Sequence, residues 1–247
     1  MKKLIFALIA MSIAFNACKK DSIEEPVKKE PAHQNLLIKR VDNDGLVFNY
    51  TYDASNRLIN YTRTANASNP SQNFTFTYNS NGTVAEMINN NSSKTTISYN
   101  ADGTISKKLE YNGTGASATL VNTFLYSYAA GVITENYIFA PTGGGWRNLY
   151  TYDLKGNLIE VKSYTTTSSD PIGTFSGTIT YKNYDDKPYH ASSIPTAFFF
   201  PNLSINNVGT VGYSWGNIPY TYEYNEDGYP TKKSDGTNTS TFEYKRL

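Results

Sequence analysis

The sequence predicts an all-β fold, one large curved antiparallel sheet of about 14 to 16 strands forming a half-barrel or a nearly closed barrel. Three observations predict it. A motif centred on a turn recurs along the chain, the stretches flanking each turn alternate with a period of two, and the 247 residues include 21 Tyr and 12 Phe, amphipathic side chains large enough to build a core. The repeat continues through 35–247, which therefore reads as a single domain.

The motif runs aromatic or apolar, any residue, Tyr, Asp or Asn, two residues, Gly or Asn, any residue, apolar. Its copies are Tyr50 to Leu58, Phe76 to Val84, Ile97 to Ile105, Tyr150 to Leu158 and Tyr222 to Pro230. Tyr126 to Ile133 is a shortened copy, Ile179-Thr180-Tyr181 opens a degenerate one, and Phe242-Glu243-Tyr244 is a final half. This is hairpin chemistry: Asp or Asn holds the turn with its side chain, and Gly or Asn at the fourth turn position accepts positive φ, as a type I turn followed by a bulge requires. Gly82, Gly103, Gly156 and Gly228 occupy that position and Asn56 takes the glycine role. Gly45 closes a similar turn one strand earlier, and so at the opposite rim. A four-residue turn with one or two carboxylates has too few oxygens for calcium, so turn chemistry is the reading and no metal is expected.

Strands before a turn, such as Phe74-Thr75-Phe76-Thr77-Tyr78, put aromatics on one face and threonine on the other. Strands after it, such as Leu158-Ile159-Glu160-Val161-Lys162, replace aromatics with charges on one face, which must be wet. Tyrosines recurring at one place in each hairpin read as the sheet's own cement. With the regular turns at one rim, the connections at the other are the irregular segments 64–73, 112–118, 140–145 and 165–173. Residues 190–219 break the repeat and contain Phe198-Phe199-Phe200-Pro201; they read as a plug or cap over the concave face or an open sheet edge.

The N-terminus is targeting sequence. Lys2 and Lys3 precede an apolar run from Leu4 to Phe15, too short to span a bilayer comfortably, and Phe15-Asn16-Ala17-Cys18 follows. Those four residues resemble the lipobox at which bacterial lipoproteins are acylated on cysteine and cleaved. The resemblance implies a signal over 1–17 and a lipid on Cys18, the only cysteine. Phe15 and Asn16 depart from the usual pattern, and cleavage after Ser12-Ile13-Ala14 is the rival reading. Residues 18–34, rich in Lys, Glu, Asp and Pro, read as a flexible tether, with His33 as a solvated side chain. The expected location is the outer membrane, facing the cell surface or the periplasm, with the membrane reached through the anchor.

The formal net charge is +1 and no basic stripe is present, so nucleic acid is not an expected partner. No His-Glu-x-x-His, Gly-x-Ser-x-Gly, phosphate loop or paired cysteine occurs, and neither a cofactor nor catalysis is expected. His190, the only histidine after the tether, reads as a packed residue; Asp185 and Asp186, taken as neighbours on a strand, would face opposite ways and could not flank one bond.

The repeated Tyr-x-Tyr-Asp-x-x-Gly-x-Leu pattern is similar to the YD repeats of large bacterial surface and toxin-shell proteins. Tyr184-Asp185-Asp186-Lys187-Pro188, Ser204-Ile205-Asn206-Asn207 and the run from Tyr222 to Thr231 further resemble a family of Bacteroidota lipoproteins of unknown function with a porin-like fold. The resemblance implies a large curved sheet and no catalytic or binding residues. The charged strand faces would be costly in hydrocarbon, which points to a body tethered beside the membrane rather than spanning it. Two functions follow as expectations: a non-catalytic envelope binding module for a glycan, peptide or protein, with Trp146 and Trp215 as ligand contacts, or a structural envelope protein with no small ligand; a glycan-active enzyme is a distant third. Exposed aromatics favour the first and packed ones the second.

Overall fold

In the computed structural model, residues 35–247 are described except Ser68, Asn91 and Asn202; the signal, Cys18, His33 and the tether lie outside the described residues. The chain forms strands β1 (Asn35–Asp42), β2 (Val47–Tyr52), β3 (Leu58–Arg63), β4 (Gln72–Tyr78), β5 (Val84–Asn89) and β6 (Ser93–Tyr99). Then follow β7 (Ile105–Asn112), β8 (Thr119–Ala129), β9 (Val132–Phe139), β10 (Gly145–Tyr152), β11 (Leu158–Thr166) and β12 (Thr174–Lys182). A one-turn helix α1 (Thr196–Phe199) precedes β13 (Thr210–Tyr213), β14 (Gly216–Pro219), β15 (Thr221–Tyr224), β16 (Pro230–Ser234) and β17 (Thr239–Arg246).

All 17 strands belong to one antiparallel sheet, and β1 pairs with both β2 and β17, so the sheet curls into a nearly closed barrel. The one seam falls between β14 and β15, which no register joins among the described residues; they are successive halves of a single run separated by Tyr220, one pairing with β13 and the other with β16. A closed ring of antiparallel neighbours needs an even number of directions. Counting that run once leaves sixteen of the 17 strands and meets the requirement.

Each full copy of the motif is a hairpin. In the Asn100 turn, Asn100 N–H donates to the Thr104 carbonyl and Gly103 N–H to the Asn100 carbonyl. Gly45, Gly82, Gly103, Gly156 and Gly228 have φ between 81° and 87°, and Asn56 has φ 60°. A Cβ at Gly103 would meet nothing within 4 Å, whereas one at Gly156 would lie 2.9 Å from Ile205 Cδ1. Gly103 therefore isolates the backbone effect. Gly103→Val should cost about 1–2 kcal/mol, since a β-branched residue is strained at this φ, and Gly103→Asn distinctly less. Equal melting of the two variants would contradict the turn geometry.

The hairpins share a second feature, a register shift between the motif tyrosine and the residue before it, so that Tyr52 pairs Leu58, Tyr78 pairs Val84, Tyr99 pairs Ile105 and Tyr152 pairs Leu158. Such a bulge leaves a backbone group without its ladder partner, and burying one unsatisfied is costly. The tyrosine of a neighbouring hairpin supplies the bond: Tyr78 Oη donates to the Leu58 carbonyl at 2.6 Å, Tyr99 to Val84 at 2.8 Å and Tyr128 to Ile105 at 2.7 Å. Tyr52 does the same for Leu37 of β1 at 2.8 Å. The motif needs Tyr rather than Phe for this reason.

The inner faces carry the core of Phe48, Tyr50, Leu58, Tyr61, Phe76, Met87, Ile97 and Phe242. The outer face carries ion pairs at Lys39–Glu243, Glu86–Lys94, Glu160–Lys162 and Glu223–Lys232, where a lipid-facing barrel would need an apolar band.

The lumen is filled by the chain itself. The irregular stretch runs from 183 to 209 rather than 190–219, because Thr210–Tyr213 and Gly216–Pro219 form a short hairpin in the wall. This plug enters from the regular-turn rim and places Phe198 against Tyr61, Phe74 and Phe76, with ring centroids 5.1, 5.3 and 5.5 Å apart. It is pinned by Ser193 Oγ accepting from Leu37 N–H, by Lys108 Nζ donating to the Phe200 carbonyl, and by Asn157 Oδ1 accepting from Ile205 and Asn206 N–H. Asp185 and Asp186 lie in the loop after β12 and not on a strand. Asp185 is a loop organiser, accepting from the N–H groups of Lys187 and Asn207, from Asn207 Nδ2 and from Tyr224 Oη.

Candidate functional site

The inner face of β7 to β10 carries a row of side chains that the register sets side by side: Lys108 opposite Phe124, Phe124 opposite Tyr137, Tyr137 opposite Trp146. Lys108 faces the plug, so the row points into the lumen toward the irregular rim. Phe124, Tyr137 and Trp146 form an aromatic strip with centroids 5.0 and 5.1 Å apart, and Trp146 at its end is 50% exposed. A polar chain runs beside it, in which Tyr137 Oη donates to Asn122 Oδ1 and Asn122 Nδ2 to Glu110, both at 2.8 Å. Deeper in, Glu135 is buried and accepts from Tyr126, Tyr150 and Asn148. Burial pushes the Lys108 ammonium down to about 8, opposed by Glu135 and Glu110.

Trp215 stands in the turn between β13 and β14. Its ring lies parallel to that of Tyr213, with centroids 5.0 Å apart and planes 5° apart, and it is 72% exposed. The structure does not bring the two tryptophans together: β11 and β12 separate β10 from the β13–β14 hairpin, and no ring contact joins the two aromatic pairs. Each has its own tyrosine, tilted against Trp146 and stacked on Trp215, and half or more of each tryptophan is exposed.

Two hollows were not readable in the sequence. One, of about 860 Å³, opens at the regular-turn rim between the turn residues Gly82, Gly103 and Gly156 and the plug residues Ile194, Ala197 and Phe200. Tyr78, Tyr99 and Tyr152 line it, but their hydroxyls are already bound to carbonyls, so it presents ring faces and apolar side chains. The other, of about 210 Å³, is lined by Arg40, Tyr189, His190, Tyr220, Lys233, Asp235, Asn238, Ser240 and Phe242. Residues nearly 200 positions apart meet here only because β1 closes against β17, which no local pattern announces. His190 is packed between Tyr189 and Phe242, with centroids 4.2 and 4.6 Å away. Burial, with Lys233 and Arg40 nearby, holds its imidazole well below the usual range and therefore neutral.

No family model matches the chain, and no curated protein matches it. Its fold does have relatives among solved structures. A porin-like protein from Bacteroides uniformis aligns with a TM-score of 0.52 at 15% identity over 85% of this chain and 95% of that one. A porin-like protein from Bacteroides vulgatus aligns with a TM-score of 0.51 at 14% identity over 85% of this chain and 99% of that one. At these identities the likeness is one of fold.

Proposed function

We propose that the chain is a cell-envelope lipoprotein, anchored through Cys18, whose plugged barrel holds a carbohydrate or peptide ligand at the irregular rim without chemical change. The observation that carries this reading is the pair of exposed tryptophans at that rim, Trp146 tilted against Tyr137 and Trp215 stacked on Tyr213. A rigid aromatic face with tyrosine support stacks on a sugar ring or peptide side chain at little entropic cost. Purely structural use of the sheet would leave no reason to expose two tryptophans. The outer-face ion pairs favour a body held beside the membrane by a lipid.

Two measurements test the reading. On a glycan and peptide array, Trp146→Ala and Trp215→Ala should each weaken any bound ligand by about tenfold, the loss of about 1.4 kcal/mol of stacking. Undiminished binding by both folded variants would remove the contact assignment. Growth with an alkyne fatty acid should label the wild type and spare Cys18→Ser; equal labelling would remove the anchor.

A further inference from the structure

The smaller hollow has the makings of a site that the stacked tryptophans do not use. Its wall carries Ser240 of β17 opposite Lys233 of β16 on the inner face, and Asp42 of β1, opposite Ser240, continues that cross-strand row. Tyr220, between β14 and β15, stands beside it, and the Tyr189–His190 segment of the plug closes the far side.

The charges in this wall are unequally matched. Arg40 is bound at both ends to Asp42, Nε to Oδ1 and Nη2 to Oδ2, each at 2.7 Å, and Asp42 also accepts from Ser240 Oγ at 2.6 Å. Asp235 is held by its own turn, accepting from the N–H groups of Thr237 and Asn238 and from Asn238 Nδ2. Lys233 is different. Its Nζ lies 4.0 Å from the centroid of the Tyr220 ring, and no carboxylate or hydrogen-bond acceptor holds it among the described residues. Opposite it, the Nδ1 of His190 is shielded from water and has no partner. An ammonium with unspent donors thus lines the hollow beside the neutral ring of His190, whose Nδ1 is itself shielded from the open space.

We propose that this hollow takes a carboxylate group, with Lys233 Nζ as its counter-charge and His190, Ser240 and Asn238 around it. The volume of about 210 Å³ suits a small group and not a whole sugar. A monoanion fits better than phosphate or sulfate, because Asp235 lines the space and Asp42 lies close enough to act on Lys233, and both would repel a second negative charge. Desolvation and the nearby Arg40 push the Lys233 ammonium down to about 8, against the pull of Asp235 and Asp42. A bound carboxylate reverses part of that shift, so binding near pH 8 should take up protons. The hollow accepts its carboxylate whether or not a ring stacks on Trp146 or Trp215, so acetate serves as the probe.

The experiment is a calorimetric titration of the full chain with sodium acetate near pH 8 in two buffers of different ionisation enthalpy, with inorganic phosphate and tetramethylammonium as separate arms. The imidazole resonances of His190 are followed by NMR in parallel. Saturable acetate binding, proton uptake and a shift of the His190 signals are expected, with phosphate weaker and tetramethylammonium silent. Lys233→Met should weaken acetate by about tenfold or more and abolish the uptake. Absence of saturation by acetate, tighter binding of phosphate, or unchanged affinity in Lys233→Met each overturns the proposal. Should Lys233→Met fail to fold, the wild type decides alone: acetate binding without proton uptake or without a His190 shift overturns it.

Discussion

Phe198→Ala should destabilise the protein by about 3–4 kcal/mol, while Phe199→Ala, one residue along the same helical turn, should cost under about 1 kcal/mol. Phe198 sits on Tyr61 of β3 and on Phe74 and Phe76 of β4 inside the lumen, and deleting it leaves a hole walled by three rings that the paired strands hold in place and that cannot collapse together. Phe199 points away, 38% exposed, and touches Phe198 itself. Urea unfolding of the two variants checks the difference. Equal small effects would mean that the plug rests in the barrel without supporting it, and the core would then have to be sought in the wall alone.

That contrast also marks how far the sequence can be read. The hairpins were legible because each carries its instructions within nine residues: alternation fixes the two faces, the Asp or Asn fixes the turn, and Gly or Asn accepts the positive φ. The run Phe198-Phe199-Phe200 is different. Three consecutive apolar residues are equally suited to covering an edge or filling a lumen, and only the curvature of the whole sheet selects the second. The same holds for Asp185, whose partners at Asn207 and Tyr224 lie 22 and 39 residues away. Trp146 and Trp215 are candidates on residue type and position near the loops, which say that a ring is near a rim but not which tyrosine lies against it. Lys233 and Arg40 carried no signal at all, since each is an ordinary charged residue on an alternating strand until barrel closure sets them on one wall.

The second large effect is expected in alkali. Burial pushes the phenols of Tyr52, Tyr78, Tyr99 and Tyr181 up to about 12 from the ordinary 10. Buried Tyr126 and Tyr150, which donate to the Glu135 carboxylate, are raised further by that charge. The sign follows from proton counts. Below pH 10 both folded and unfolded chains hold these protons and the contribution is fully present; between pH 10 and about 12 the unfolded chain loses them first, so stability falls as pH rises. Lys108 and Lys233, held down to about 8, add stability as pH rises toward 10, so the thermal midpoint should climb over that range, turn over above pH 10 and then drop by roughly 10 °C or more toward pH 12. Phenolate absorbance should rise together with loss of the fold for these side chains. Tyr99→Phe separates burial from donation: it removes one titrating group and orphans the Val84 carbonyl, so it should cost about 1–3 kcal/mol at neutral pH while making the alkaline slope shallower. If Tyr99→Phe is as stable as the wild type at pH 7, the carbonyl at the bulge is satisfied by water. If the buried phenols ionise while the barrel stays intact, the tyrosines are packing groups only, and the hydroxyl in the repeated motif has no role in holding one hairpin to the next.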